Sequence, residues 1–190
     1  MGLLDAFRKD EVIGTKVLVC SLGTKFEELR KADEKVYKRF YPLTTSTTAT
    51  ALAELRQALG QHYDIAHLFC NVGAQGEISD GSGAKMTGAE LLRAAVDSGA
   101  KLLWIASDNF PDPYRAGFNA KGTKLNLVLT ERRLGPNFSL FLDNLLSKVS
   151  AGESFAKAWN VAAKPEGKAV QPDVPHTIPS IGRGGVILRP

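Results

Sequence analysis

Asp64-Ile65-Ala66-His67-Leu68-Phe69-Cys70-Asn71 and Lys101-Leu102-Leu103-Trp104-Ile105-Ala106-Ser107-Asp108 decide how this chain folds. Each is a short apolar run with polar residues at its ends, the pattern of a strand buried on both faces. Between them lies a loop rich in glycine (Gly73, Gly76, Gly81, Gly83), then Thr87-Gly88-Ala89-Glu90. That tetrapeptide is a capping box, in which hydroxyl and carboxylate reciprocally satisfy free amides at a helix start. It opens a helix over Gly88 to Ser98 that Gly99 ends. Strand, loop, helix and strand make one βαβ unit, and in open α/β sheets chemistry collects beyond the carboxyl ends of the strands. Asn71 and Ser107 occupy those ends, so the identity of these two side chains carries most of the functional inference.

Outward from this unit, strand and helix alternate. Lys16 to Ser21 is short, β-branched and apolar, a first buried strand. Lys25 to Arg39 is a charged helix with Phe26, Leu29, Val36, Tyr37 and Phe40 at apolar positions. Tyr41 to Thr45 is expected as a weak strand, with the threonine-rich Thr44 to Thr50 a turn into a helix over Ala49 to Gly60, where Leu52, Leu55 and Leu59 recur at helical spacing. Glu77-Ile78-Ser79 is expected to form a short hairpin arm. Lys124 to Leu129 gives a fifth strand. Phe138, Phe141, Leu142, Leu145, Leu146 and Val149 have the cleanest helical period in the chain, and Gly152 separates them from a second helix marked by Phe155, Ala158, Trp159 and Ala162. The tail, 164–190, holds five of the nine prolines and ends in Gly185-Val186-Ile187-Leu188, an expected edge strand. The expectation is one α/β domain over 1–190, doubly wound in three layers, around a mostly parallel sheet of about six strands.

The composition is compatible with this. A chain of 190 residues with 44% hydrophobic content can bury a full core. The net charge of +4 comes from 24 basic and 20 acidic residues that are interspersed, with no basic cluster interleaved with aromatics. That argues against nucleic acid as a partner. Cys20 and Cys70 each follow an apolar run and fall in no metal-ligand or CxxC spacing, so they are expected to be small core residues, with no metal and no disulfide framework. No apolar run is long enough to span a bilayer, and Met1 to Asp10 lacks a signal-peptide core, so a cytoplasmic setting is expected.

Fingerprints of nucleotide sites are missing. No Gly-x4-Gly-Lys-Ser/Thr phosphate loop occurs, and Gly81-Ser82-Gly83 is not continued into GxGxxG. Ser21-Leu22-Gly23-Thr24-Lys25 leaves a strand and enters a helix, the place of a phosphate nest in flavodoxin-like sheets, though an ordinary βα turn has the same composition. For nucleophilic catalysis Ser107 is well placed, but His62 precedes its strand and His67 lies about 13 Å deeper along the sheet, at about 3.3 Å per residue. His176 lies in the proline-rich tail. Asp108 and Glu131 each follow a strand and could share the same edge, as loop caps or as an acid–base pair.

In order, the parts over Thr50 to Ala163 resemble the CHAT domain, a caspase-fold cysteine peptidase family related to separases and caspases. The resemblance rests on Ala51-Leu52-Ala53-Glu54-Leu55 leading to Tyr63-Asp64-Ile65-Ala66-His67-Leu68, and on the glycine loop with Gly76-Glu77-Ile78. Thr87-Gly88-Ala89-Glu90-Leu91-Leu92, the strand into Ala106-Ser107, Phe138…Phe141…Leu145, Ala151-Gly152-Glu153-Ser154-Phe155 and Ala158-Trp159 complete it. In that family one strand ends in His-Gly and the next in Ala-Cys, base and nucleophile. Carried over, the base position falls on Asn71, the glycine on Val72, next to Gly73, and the nucleophile on Ser107. Asparagine has no proton affinity near neutral pH, and an unassisted serine hydroxyl is a weak nucleophile.

The resemblance therefore implies a caspase-fold pseudoenzyme without cofactor or metal, in a bacterial or similar cytoplasmic setting, retained for a protein partner or for self-association. Its binding rim would comprise Asn71, Val72, Gly73, Ser107, Asp108 and Glu131. Two alternatives stand beside it: a hydrolase that uses Ser107 or Cys70 with an unrecognised base, and a sensor holding a small anionic ligand at the glycine-rich loop.

Overall fold

The computed structural model describes residues 14–107, 125–130, 137–163 and 177–180. Its centre is a six-stranded sheet built from β1 (Val17–Leu22), β2 (Thr44–Ala49), β3 (Ile65–Phe69), β6 (Leu102–Ala106), β7 (Asn126–Thr130) and β8 (Thr177–Ser180), in the order β2-β1-β3-β6-β7-β8. The first five run parallel, and β8 closes one edge antiparallel to β7. A separate hairpin pairs β4 (Ile78–Ser79) with β5 (Lys85–Met86).

Side-chain alternation divides the core in two. Val17, Val19, Ile65, Phe69, Leu102 and Trp104 face α1 (Glu27–Phe40), α4 (Asn137–Ser150) and α5 (Phe155–Ala163). Leu18, Cys20, Ala66, Leu68, Leu103 and Ile105 face α2 (Leu52–Leu59) and α3 (Gly88–Asp97). Helices thus cover both faces of a mostly parallel sheet, a doubly wound three-layer sandwich, and this explains why β1, β3 and β6 read as continuous apolar runs. A short 3-10 turn, Thr24–Phe26, precedes α1. Among the described residues no helix is long and apolar enough to cross a membrane.

The capping box of α3 forms as expected, with Glu90 N–H donating to the Thr87 hydroxyl and the Glu90 carboxylate accepting from Thr87 N–H at 2.7 Å. The hairpin arm at Ile78–Ser79 forms too. One expectation is corrected. The threonine-rich stretch is no turn: Thr44–Ala49 is itself the strand, and Tyr41 to Leu43 precede it. A strand at a sheet edge need not be apolar, and only its two end residues are buried. In the tail Thr177–Ser180 pairs with β7, and the strand expected at Gly185 to Leu188 lies outside the described residues.

Candidate functional site

The strand pairing brings the carboxyl ends of β3 and β6 side by side. Phe69 pairs with Ala106, and Cys70 N–H donates to the Ala106 carbonyl at 3.0 Å, so the chain beyond each strand emerges at one rim. Asn71 is exposed there. Val72 turns inward, buried in the α2 and α3 core and bridged to Ile78. Ser107 is fully buried, and its N–H donates to the Thr130 carbonyl at 2.9 Å. The same Thr130 accepts the Trp104 indole N–H on its hydroxyl at 2.7 Å, which ties the ends of β6 and β7 together. Of the six residues expected at this rim, Asp108 and Glu131 lie outside the described residues, as does His176.

The loop after Asn71 is a compact turn. Gly73 N–H donates to the Glu77 carbonyl at 2.7 Å and Gly76, at φ 81°, donates to the Gly73 carbonyl at 2.9 Å. The Glu77 side chain folds back over Gly73, so that a Cβ at position 73 would meet its carboxyl group. Its own backbone N–H and that of Gln75 hold the Glu77 carboxylate below its usual value, with Lys85 adding an ion pair at 3.3 Å. Asp80, between β4 and β5, accepts from Leu52 N–H at 3.0 Å and so pins the hairpin to the start of α2. At the end of β1, Gly23 takes φ 83° and spends its N–H on the Ala49 carbonyl at 2.8 Å, the geometry of an ordinary βα turn.

Neither cysteine presents a thiolate. Cys70 is fully buried against α2 and α3, and desolvation drives its thiol far up, with Cys20 adding to the effect. Burial likewise pushes Cys20 up to about 11. A thiol so shifted stays protonated at neutral pH and is a poor nucleophile. His62 hydrogen-bonds through Nδ1 to the Ser98 carbonyl at 3.0 Å, before β3 begins. Among the described residues no group of three or more His, Cys, Asp or Glu could hold a metal ion.

Among the described residues, His67 is the histidine buried in the core. His67 stacks between Phe69 and Trp104, at centroid distances of 4.7 and 4.9 Å, with Tyr37 edge-on at 5.7 Å. Its Nε2 lies 4.0 Å from the Asp33 carboxylate of α1, and both residues are fully buried. Asp33 also accepts from the Ser139 hydroxyl of α4 at 3.4 Å. Polar chemistry therefore joins α1, β3 and α4 in mid-sheet. Asp33 was hidden among the charges of its helix, but it interrupts the stripe Phe26, Leu29, Val36, Tyr37 and Phe40 at helical spacing, and that interruption is the signal that marks it. No protein-family model and no curated protein sequence matches this chain.

Proposed function

We propose that the chain is a caspase-fold domain of the CHAT type that no longer cuts peptides and serves as a protein-interaction or regulatory module in the cytoplasm. The fold offers the frame that this reading needs: a mostly parallel sheet of six strands with helices on both faces. One observation carries it. At the rim the base position is Asn71, and the nucleophile position is Ser107, whose side chain is fully buried beneath the ends of β3, β6 and β7. Burial of this hydroxyl works against its attack on a peptide carbonyl. The exposed Asn71 and the turn from Gly73 to Glu77 remain as a rigid surface suited to contact with a partner rather than to chemistry.

The competing hydrolase reading is weakened by the same burial, since Cys70 is as inaccessible as Ser107 and its thiol is held protonated. Excess purified protein, mixed with a panel of caspase-type peptide reporters, is expected to give no turnover. Fluorophosphonate and iodoacetamide are expected to label Ser107 and Cys70 more slowly than in a denatured control. Turnover that disappears on Ser107→Ala, or rapid labelling of either residue in the folded chain, overturns the proposal.

A further inference from the structure

We infer that the β2 edge of the sheet, separated from β3 by β1 and independent of how the rim is read, is a self-pairing surface on which two copies of the chain join antiparallel about a two-fold axis at Ser46. The backbone sets the register. Leu43 and Ala49 direct their carbonyls to Val17 and Gly23, so by the period of two the backbone groups of Thr45 and Thr47 also face β1. Those of Thr44, Ser46 and Thr48 face outward.

In an antiparallel pair of identical strands, directly opposed residues share a face, so residue numbers that face each other sum to an even total. Centring the axis on Ser46 opposes Thr44 to Thr48 and Ser46 to itself, and every outward N–H and C=O of the strand finds a partner. A register one step on needs Thr50 N–H, which already donates to the Glu54 carboxylate at 2.7 Å.

The side chains agree with this register. Leu43, 49% exposed at the mouth of β2, falls opposite Ala49 of the second copy. A groove of about 490 Å³ runs along the α2-facing side of β2 and holds Glu54 at one end. It continues, through Thr45 and Tyr63, into a hollow of about 370 Å³ that holds Lys16. Antiparallel pairing sets the Lys16 end of one copy against the Glu54 end of the other, so the surface is self-complementary in charge, as a two-fold interface must be. On the opposite face Arg30 reaches Ser46 and stays neutralised by its own Glu34 at 3.2 Å. None of the usual blocks to edge pairing, a proline or a lysine within the strand or a bulge, is present in Thr44–Ala49.

The test is the molar mass of the full chain by sedimentation across a concentration series. A species of twice the chain mass of 20.5 kDa is expected, reverting to one chain with Thr47→Lys, which sets a charge beside the axis, and with Ser46→Pro, which removes an outward N–H that no intrachain ladder uses. Thr47→Lys changes only a half-buried side chain, so at a concentration where the parent is also a single chain its melting curve should match the parent and exclude unfolding as the cause. Under mild oxidation Ser46→Cys should cross-link two chains, and Thr47→Cys should not. A monomer at every concentration, a dimer that survives both substitutions, or cross-linking through position 47 instead of 46 overturns the inference.

Discussion

The two faces of the sheet are held by different chemistry, and β3 displays the contrast within five residues. Ile65, His67 and Phe69 turn to α1, α4 and α5, where Phe69, Trp104 and Tyr37 pack on the buried His67 beside Asp33, and Phe138 and Phe155 pack on Trp104. Ala66 and Leu68 turn to α2 and α3, into a core of leucine, alanine, cysteine and methionine. Aromatic rings with preferred geometries and a buried polar pair fix one arrangement, whereas aliphatic side chains of similar volume exchange with little loss. The α2 and α3 side is fixed instead at its helix starts, where exposed carboxylates bind backbone amides. One side of the rim thus rests on a specific core and the other on peripheral caps.

The strongest way to break this contrast is to remove its largest ring. Trp104 is fully buried, stacks on His67, meets Phe138 and Phe155 edge-on and donates to Thr130. Trp104→Ala is expected to cost about 3–5 kcal/mol in urea unfolding. On the opposite face, Leu103→Met keeps the volume and should cost less than about 1.5 kcal/mol. Equal losses would mean that the faces are not differently held.

A smaller effect sharpens the role of the polar pair. Asp33→Leu leaves His67 buried without its carboxylate neighbour, and His67→Leu does the same to Asp33, so each single change should cost about 1–3 kcal/mol. The double change replaces both polar groups with apolar ones and should cost less than the sum of the singles, with a coupling of about 0.5–3 kcal/mol in a double-mutant cycle. Additive losses would show that the 4.0 Å approach contributes nothing specific.

These residues also mark where sequence stops being informative. β3 and β6 were legible because strands buried on both faces must be apolar throughout, and α4 because its apolar positions fall on one stripe. β2 was not, since an edge strand needs no apolar pattern and its hydroxyls resemble turn chemistry; only pairing with β1 reveals it. Asn71 and Ser107 were found at the rim from the strand-end rule alone. Their opposite exposure, and the inward turn of Val72, depend on neighbouring strands that sequence does not place. The interrupted stripe of α1 marks Asp33 as inward-facing, but its partner required knowing that α1 lies over His67, a contact between residues far apart in the chain.

Acid should separate the faces most gently. Backbone N–H of Thr50, then its hydroxyl, holds Glu54 low; the Ser82 hydroxyl, then Leu52 N–H, does so for Asp80; Thr87 N–H, then its hydroxyl, for Glu90. All three groups are ionised more readily in the folded chain than their ordinary values of 4.5 and 3.8 allow. Depressed folded values mean that their stabilisation is complete above those ordinary values and is lost as pH falls through the lower, folded ones. On α1, Lys31 lowers Glu27 by a hydrogen bond and its charge, and for Glu34 partial burial is outweighed by Lys38 and Ser46. Most of these pairs join one turn of α1 to the next, and the aromatic core keeps that helix docked when they go. Hydrogen exchange, corrected for its intrinsic pH dependence, should therefore show α2, α3 and the β4–β5 hairpin losing protection below about pH 4 before α1 and α4 do. Simultaneous loss on both faces, or loss in α1 first, would show that the caps do not hold the aliphatic side and would remove the distinction drawn between the two cores.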